Sequence, residues 1–358
     1  MKVLLCQVDG KLPNLALMRL STWHKMRGDF TRLTDSPKNA AKLDPERVYC
    51  SSIFTTSEKK RSAFVSLFPT AYVGGDGFKP VWKDLTLIRT KDQPLGIGSN
   101  LREVISDCDP EELLPDYGLY PKFAGSIGYT QRGCRLDCSF CRMKTREGLP
   151  RGVRTISQLW RGDPMPKQIH LLDNDFFGQP EWEARLNEAI EGKFKLSFNQ
   201  GINIRLITHE QGKVLAKVKY TDDSFKKRRL YTAWDNLGDE KWFKDGVAML
   251  ADAGVPARHL MVYMLIGFRR EETEEEILHR YHELLKLKCM PYPMVYDSNR
   301  KDLKHFQRWV IGRYAQIVSW EDYKKHWKVE IKKPDFSWQQ LPVIPSTNVD
   351  WLQDDAPQ

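Results

Sequence analysis

Gly125-Ser126-Ile127-Gly128-Tyr129-Thr130-Gln131-Arg132-Gly133-Cys134-Arg135-Leu136-Asp137-Cys138-Ser139-Phe140-Cys141 is the stretch on which the fold reading turns. Ser126 to Tyr129 reads as a short strand, and it runs into three cysteines spaced C-x3-C-x2-C. Thiolates so close on one loop can converge on one metal centre. A structural zinc site takes four ligands, usually as two separated pairs. No second pair exists, since Cys6, Cys50, Cys108 and Cys289 are scattered, and His170 or Cys108 would have to be recruited as a fourth ligand. Three cysteines can instead hold three irons of a four-iron cluster and leave the fourth open to a chelating ligand.

Outward from this loop, strand and helix signals alternate. Ile169-His170-Leu171-Leu172, Phe194–Phe198, Leu230–Trp234, Met261–Ile266 and Met294-Val295-Tyr296 read as five further strands. Between them lie helical patterns. Trp182, Leu186 and Ile190 make one face after Pro180, and Thr208 with Gln211 forms a capping box. Asp239 caps a helix bearing Trp242, Phe243, Val247 and Leu250 that stops at Gly254, and Thr273 with Glu276 caps the next. A last helix covers about 303–318. Six strand–helix units in a row predict a partial (βα)6 barrel of the TIM type, with ligands at the strands' carboxyl ends. The cysteine loop follows the first strand and falls on that face.

The loop, with Phe140 immediately before its third cysteine, resembles the radical SAM superfamily signature, and the resemblance covers roughly Gly125 to Val318. It implies that Cys134, Cys138 and Cys141 hold one [4Fe-4S] cluster whose open iron binds S-adenosylmethionine. Reductive cleavage of that cofactor would give a 5′-deoxyadenosyl radical that takes a hydrogen from the substrate. By the same resemblance, Asp173 and Asn174 after the second strand would receive the methionyl amino group, or act as a helix cap. Arg205 past the third strand would pair with the methionyl carboxylate, Asp235 would hold the ribose hydroxyls, and Phe140 would lie near the adenine. Tyr263, Gln200 and Tyr296 would point into the barrel mouth or simply pack in it. An external flavodoxin or ferredoxin would supply the electron.

The first third reads as strand (Val3 to Leu5), helix (Leu15 to Met26), strand (Val48 to Cys50), helix (about 57–68) and strand (Ala71 to Val73). This predicts a Rossmann-like parallel sheet. It ends in Gly74-Gly75-Asp76-Gly77, which suits either a plain turn or close approach of a ligand. Residues 1–80 would form this domain, 81–121 a proline-marked linker, 122–318 the barrel, and 319–358 a basic, aromatic extension with a frayed end. The first domain resembles the cobalamin-binding domain of one radical SAM subclass. The loop supplying an axial histidine is missing, Asp9-Gly10-Lys11-Leu12-Pro13 standing in its place, and His24 reads as a surface residue. Cobalamin is therefore not the favoured ligand, and the domain reads as a platform for substrate.

Composition sets the outer bounds. The 358 residues are 41% hydrophobic, and 56 cations against 47 anions give +9. No apolar run of eighteen residues occurs, so no membrane span is expected. The N-terminal Met1 to Lys11 reads as a buried strand, not a signal peptide. Seven cysteines with one local cluster suit a reduced, cytoplasmic protein. The positive charge, Lys226-Lys227-Arg228-Arg229 and the tail residues Lys324, Lys325, Trp327, Lys328, Lys332, Lys333 and Trp338 would suit a nucleic acid, or merely be solvated. Two other functions remain open at this point: cobalamin-dependent methyl transfer to a small metabolite or peptide, and a non-catalytic iron–sulfur or zinc module.

Overall fold

The computed structural model describes residues 1–75, 104–105 and 107–327, with backbone only for 55, 326 and 327. Asp76 and Gly77 of the glycine turn, and Lys328, Lys332, Lys333 and Trp338 of the tail, lie outside the described residues. The chain divides into two compact units, Met1–Ala124 and Gly125–Gln358.

The first unit is a parallel sheet of β1 (Lys2–Gln7), β2 (Phe30–Thr34), β3 (Arg47–Ser51) and β4 (Tyr72–Gly74), in the order β2-β1-β3-β4. Central β1 is apolar on both faces, which is what a sheet covered on both sides requires. Val3 and Leu5 pack with Leu17, Leu20 and Trp23 of helix α1 (Leu15–Lys25). Leu4 and Cys6 pack with Ala40 of α2 (Pro37–Ala40) and Phe64 of α3 (Glu58–Leu67). Strand β2 is absent from the sequence reading. Phe30-Thr31-Arg32-Leu33-Thr34 is a short polar edge strand without an apolar run.

The expected linker packs on this unit where it is described. Ile105 and Leu113 are buried against β1 and α1. Trp23 Nε1 donates to Asp107 Oδ1 at 2.8 Å, and Arg19 meets Glu111 at 2.7 Å. At the carboxyl end of β4, Gly75 has φ +89, and a Cβ there would stand 2.2 Å from the Ser52 carbonyl oxygen. Close backbone packing accounts for this glycine.

The second unit carries two parallel sheets. One has the order β10-β9-β8-β5, from β5 (Ser126–Gly128), β8 (Gln168–Leu171), β9 (Lys195–Phe198) and β10 (Lys219–Tyr220). The other has the order β11-β12-β13, from β11 (Leu230–Ala233), β12 (Leu260–Ile266) and β13 (Met290–Val295). The described residues thus form a mixed α/β fold with parallel sheets and no closed barrel. A link crosses between the sheets: beyond β9, Ile202 N–H donates to the Tyr231 carbonyl at 2.8 Å, and Thr232 Oγ1 to the Ile202 carbonyl at 2.9 Å. Strand β12 alternates sharply. Leu260, Val262, Met264 and Ile266 are fully buried against the helical layer, whereas Met261, Tyr263 and Leu265 on the other face are half-buried.

Strand β13 starts four residues earlier than the sequence suggests and runs through Pro291 and Pro293. It is an edge strand, where proline's missing N–H costs no ladder bond. Both capping boxes form, Thr208/Gln211 at the start of α7 (His209–Lys217) and Thr273/Glu276 at the start of α9 (Glu274–Lys286). Asp239, expected to cap α8 (Glu240–Asp252), makes no capping bond. The last predicted helix ends early, as α10 (Lys301–Ile311) before Gly312. The start of the supposed tail is α11 (Trp320–Trp327), whose Trp320 and Tyr323 are buried in the core. No helix among the described residues is long and apolar enough to cross a membrane.

Candidate metal centre

The cysteine loop is an insertion between two short antiparallel strands, β6 (Gln131–Arg132) and β7 (Arg151–Gly152), which carry it at the carboxyl end of β5. Gly133 opens it at φ +87, and a Cβ there would lie 2.3 Å from the Leu149 carbonyl oxygen. No residue with a side chain fits this backbone approach. After Cys141 the chain enters α4 (Met143–Glu147) and closes through Gly148, whose carbonyl accepts from Cys134 N–H at 3.1 Å. Cys134 and Cys138 are half-buried and Cys141 is exposed. Among the described residues no three His, Cys, Asp or Glu groups come together on a single ion.

The sulfurs are nonetheless dressed with donors. Leu136 N–H points at Cys134 Sγ at 3.4 Å, and Arg205 Nη2 lies 3.7 Å from Cys138 Sγ. Burial pushes the Cys134 thiol up, with the Leu136 N–H pulling it partly back. Cation and N–H groups directed at sulfur favour the thiolate, the form that binds metal. This donor set fits a group held by three thiolates of one loop.

The turn after β8 holds the loop in place. Asp173 Oδ1 accepts from Thr130 N–H at 2.7 Å and Gln131 N–H at 3.1 Å, and Oδ2 from Thr130 Oγ1. Asn174 Nδ2 donates to Glu147 Oε2 at 3.1 Å, and that carboxylate also takes Gly133 N–H and Arg132. Asp175, fully buried, takes Arg135 N–H, Nε and Nη2 at 3.1, 2.8 and 2.9 Å. Three successive side chains therefore fix the entry, the exit and the middle of the loop. Asp173, expected at an ammonium group, is buried with its oxygens occupied, and burial raises its pKa to about 7. It is a positioning residue, not one facing a ligand. Neither Asp173 nor Asn174 caps a helix.

The other expected residues divide. Arg205 reaches the loop and also meets Asp239 Oδ2 at 2.5 Å, which explains why Asp239 does not cap α8. Asp235 lies two residues beyond β11 and accepts from Leu265 N–H at 3.2 Å; burial raises its pKa, with that N–H, Arg205 and Arg280 opposing. Phe140 packs edge-on to Phe268, and Phe268 to Tyr296, at 5.5 and 4.9 Å between ring centres. Tyr263 stacks on Tyr231 across β11 and β12, and Gln200 is exposed. Phe268 was missed by the sequence reading. It follows Gly267, whose N–H is fixed by Glu272 at 2.6 Å, and Glu272 pairs with fully buried Arg280.

His24 is buried, not exposed. Its Nδ1 meets Asp29 Oδ2 at 2.7 Å and its Nε2 meets Tyr49 Oη at 3.0 Å. It is the single histidine of residues 1–124, so the first unit offers no accessible imidazole as an axial ligand for a corrin. Of the expected basic run, Arg228 lies over the Tyr220 ring at 3.8 Å and Arg229 is buried against Met290. In the tail, Lys324 pairs with Glu274 and Lys325 with Asp322.

Comparison with protein-family models, with curated proteins and with solved structures returned no match.

Proposed function

We propose that this protein is a radical SAM enzyme with one iron–sulfur cluster on Cys134, Cys138 and Cys141. The observation that carries the reading is the three-thiol loop at the strands' carboxyl ends, with the Arg205 guanidinium against a cysteine sulfur. On this reading the two sheets, β10-β9-β8-β5 and β11-β12-β13, would be arcs of an open barrel, and the hydrogen bond between Ile202 and Tyr231 that links them supports it. When bound, the cluster and S-adenosylmethionine supply one-electron cleavage of a sulfonium C–S bond and a deoxyadenosyl radical.

The chain's own residues bind, orient and shield. Arg205 has donors beyond those spent on Asp239 and Cys138, and a guanidinium fork suits the methionyl carboxylate. Asp235 offers its second oxygen to ribose hydroxyls. Phe140, packed edge-on to Phe268, offers an apolar surface beside the loop to the adenine ring. Asn174 faces the loop's exit, whereas Asp173 and Asp175 keep the cysteines in place. The external electron donor remains of flavodoxin or ferredoxin type, and the protein works in the reducing cytoplasm.

Anaerobic purification tests the proposal. The protein should be brown, change its visible spectrum on adding S-adenosylmethionine, and release 5′-deoxyadenosine and methionine with dithionite. Replacing all three cysteines with Ala should remove iron and leave a folded chain. Absence of iron in reconstituted wild-type protein, or iron near four per chain in the triple variant, would refute it.

A further inference from the structure

The segment around the cysteine loop is rich in positive charge. From Tyr129 to Thr155 it carries seven cations (Arg132, Arg135, Arg142, Lys144, Arg146, Arg151, Arg154) and two anions (Asp137, Glu147), a net 7 − 2 = +5 against +9 for the whole protein. Six of the seven cations are arginine. Ion pairs claim three of the seven cations, Arg132 with Glu147, Lys144 with Asp137 and Arg135 with Asp175. Glu147 turns inward to Arg132, Gly133 and Asn174, and Asp137 takes Lys144 at 3.5 Å. Arg142, Arg146 and Arg151 are exposed. Arg142 precedes α4 and Arg146 lies on it, four residues and about 6 Å further along its axis. Arg151 lies on β7, and its Nη1 is held by the Glu147 carbonyl at 2.7 Å, which fixes it beside the same helix.

We infer that this collar docks the phosphate backbone of a nucleic-acid strand, with Arg142, Arg146 and Arg151 as its main contacts. Guanidinium groups bind phosphate bidentately, and a dense one-signed field steers a polyanion. The run 226–229, which the sequence first suggested for this task, is the weaker candidate. It precedes the amino end of β11, away from the strands' carboxyl ends, and Arg228 and Arg229 are packed against Tyr220 and Met290. That the bound strand is also the substrate rests on the functional reading above. The binding itself does not.

The test is fluorescence anisotropy with a labelled 20-nucleotide single-stranded RNA, and DNA of the same sequence, on the full chain. Three phosphate contacts at a slope of about −0.7 each imply about a twentyfold loss of affinity between 50 and 200 mM salt. Arg142→Glu, Arg146→Glu and Arg151→Glu together should abolish that binding, whereas Lys226→Glu with Lys227→Glu should leave it unchanged. The triple Gln variant, gentler on folding, should lose at least tenfold. Three results would each overturn the inference: no binding by the wild type at 50 mM salt, binding indifferent to salt, or undiminished binding by both triple variants. Charge reversal that slows cleavage driven by an acidic flavodoxin, with nucleic-acid binding intact, would assign the face to a protein partner and also overturn it. A chain that binds RNA as expected but forms no cluster would sink the functional reading and leave this one standing.

Discussion

Asp175 accepts three hydrogen bonds from one residue, Arg135: the backbone N–H, Nε and Nη2, all within 3.1 Å. The carboxylate is fully buried, whereas the guanidinium is about one-third exposed. The pair therefore pins the middle of the cysteine loop, one residue from Cys134, to the turn after β8. Charge-assisted hydrogen bonds of this kind contribute about 1.5–3 kcal/mol each. Asp175→Ala should loosen the loop before any metal arrives. Alkylation of Cys134 and Cys138 in the metal-free protein should speed up at least tenfold, and iron uptake on reconstitution should fall. Unchanged labelling rates would show that the loop is held by other means.

Gly133→Ala attacks the same loop through the backbone. Its φ of +87 disfavours a side chain, and the added Cβ would meet two carbonyl oxygens of Gly148 and Leu149 within 2.7 Å. Strain at such positions costs on the order of 1–3 kcal/mol. In a unit of this size that is roughly 2–4 °C of Tm per kcal/mol. Calorimetry should show the loss, and Gly148→Ala, where a Cβ meets nothing within 4 Å but φ is +77, should cost less.

Much of this was readable before the structure, and what was not has physical causes. The strands of both units with long apolar runs were legible, because a sheet buried on both faces demands them. Strand β2 and the short β6, β7 and β10 were not, since two to five residues carry no periodicity that separates them from loops. The cysteines announced themselves by spacing. The roles of Asp173, Asn174 and Asp175 did not, because a carboxylate that faces a ligand and one that clamps a loop look identical in sequence. Phe268 was missed for another reason: its contact with Phe140 is made across the fold, and Glu272, which closes a local turn on Gly267, carries no spacing signal that sets it apart from a surface acid. His24 misled because a polar residue inside a helical pattern reads as exposed until its two partners, Asp29 and Tyr49, are known.

His24 makes the first unit sensitive to acid. Burial holds its pKa below the usual 6.5, with Asp29 only partly offsetting this. The unfolded chain therefore takes up a proton near pH 6.5 that the folded one refuses until lower pH. The stability it lends is present above pH 6.5 and is lost as pH falls through the depressed folded value. Thermal melts between pH 7.5 and 5 should show Tm falling on the acid side. His24→Gln, though less stable throughout, should flatten that slope. An NMR titration that placed the His24 ring at or above 6.5 would reverse the sign of the prediction.

On the functional reading, Arg205 should separate cofactor binding from cluster holding. Its Nη1 is anchored by Asp239, and its Nη2 faces Cys138 Sγ at 3.7 Å. It is not a thiolate ligand, so Arg205→Gln should leave iron content near that of the wild type. The variant loses a cation beside the sulfur and, on the functional reading, the partner of the methionyl carboxylate. One charge-assisted contact of about 1.5–3 kcal/mol corresponds to roughly ten- to a hundredfold in Kd for S-adenosylmethionine. Removing positive charge near the cluster should also make its reduction harder and lower its midpoint potential. Arg205→Lys keeps the charge without the fork, so its potential should stay closer to wild type while its affinity falls. Equal affinity for S-adenosylmethionine in wild type, Gln and Lys variants would remove Arg205 from the cofactor site and leave it only a brace between the cysteine loop and Asp239.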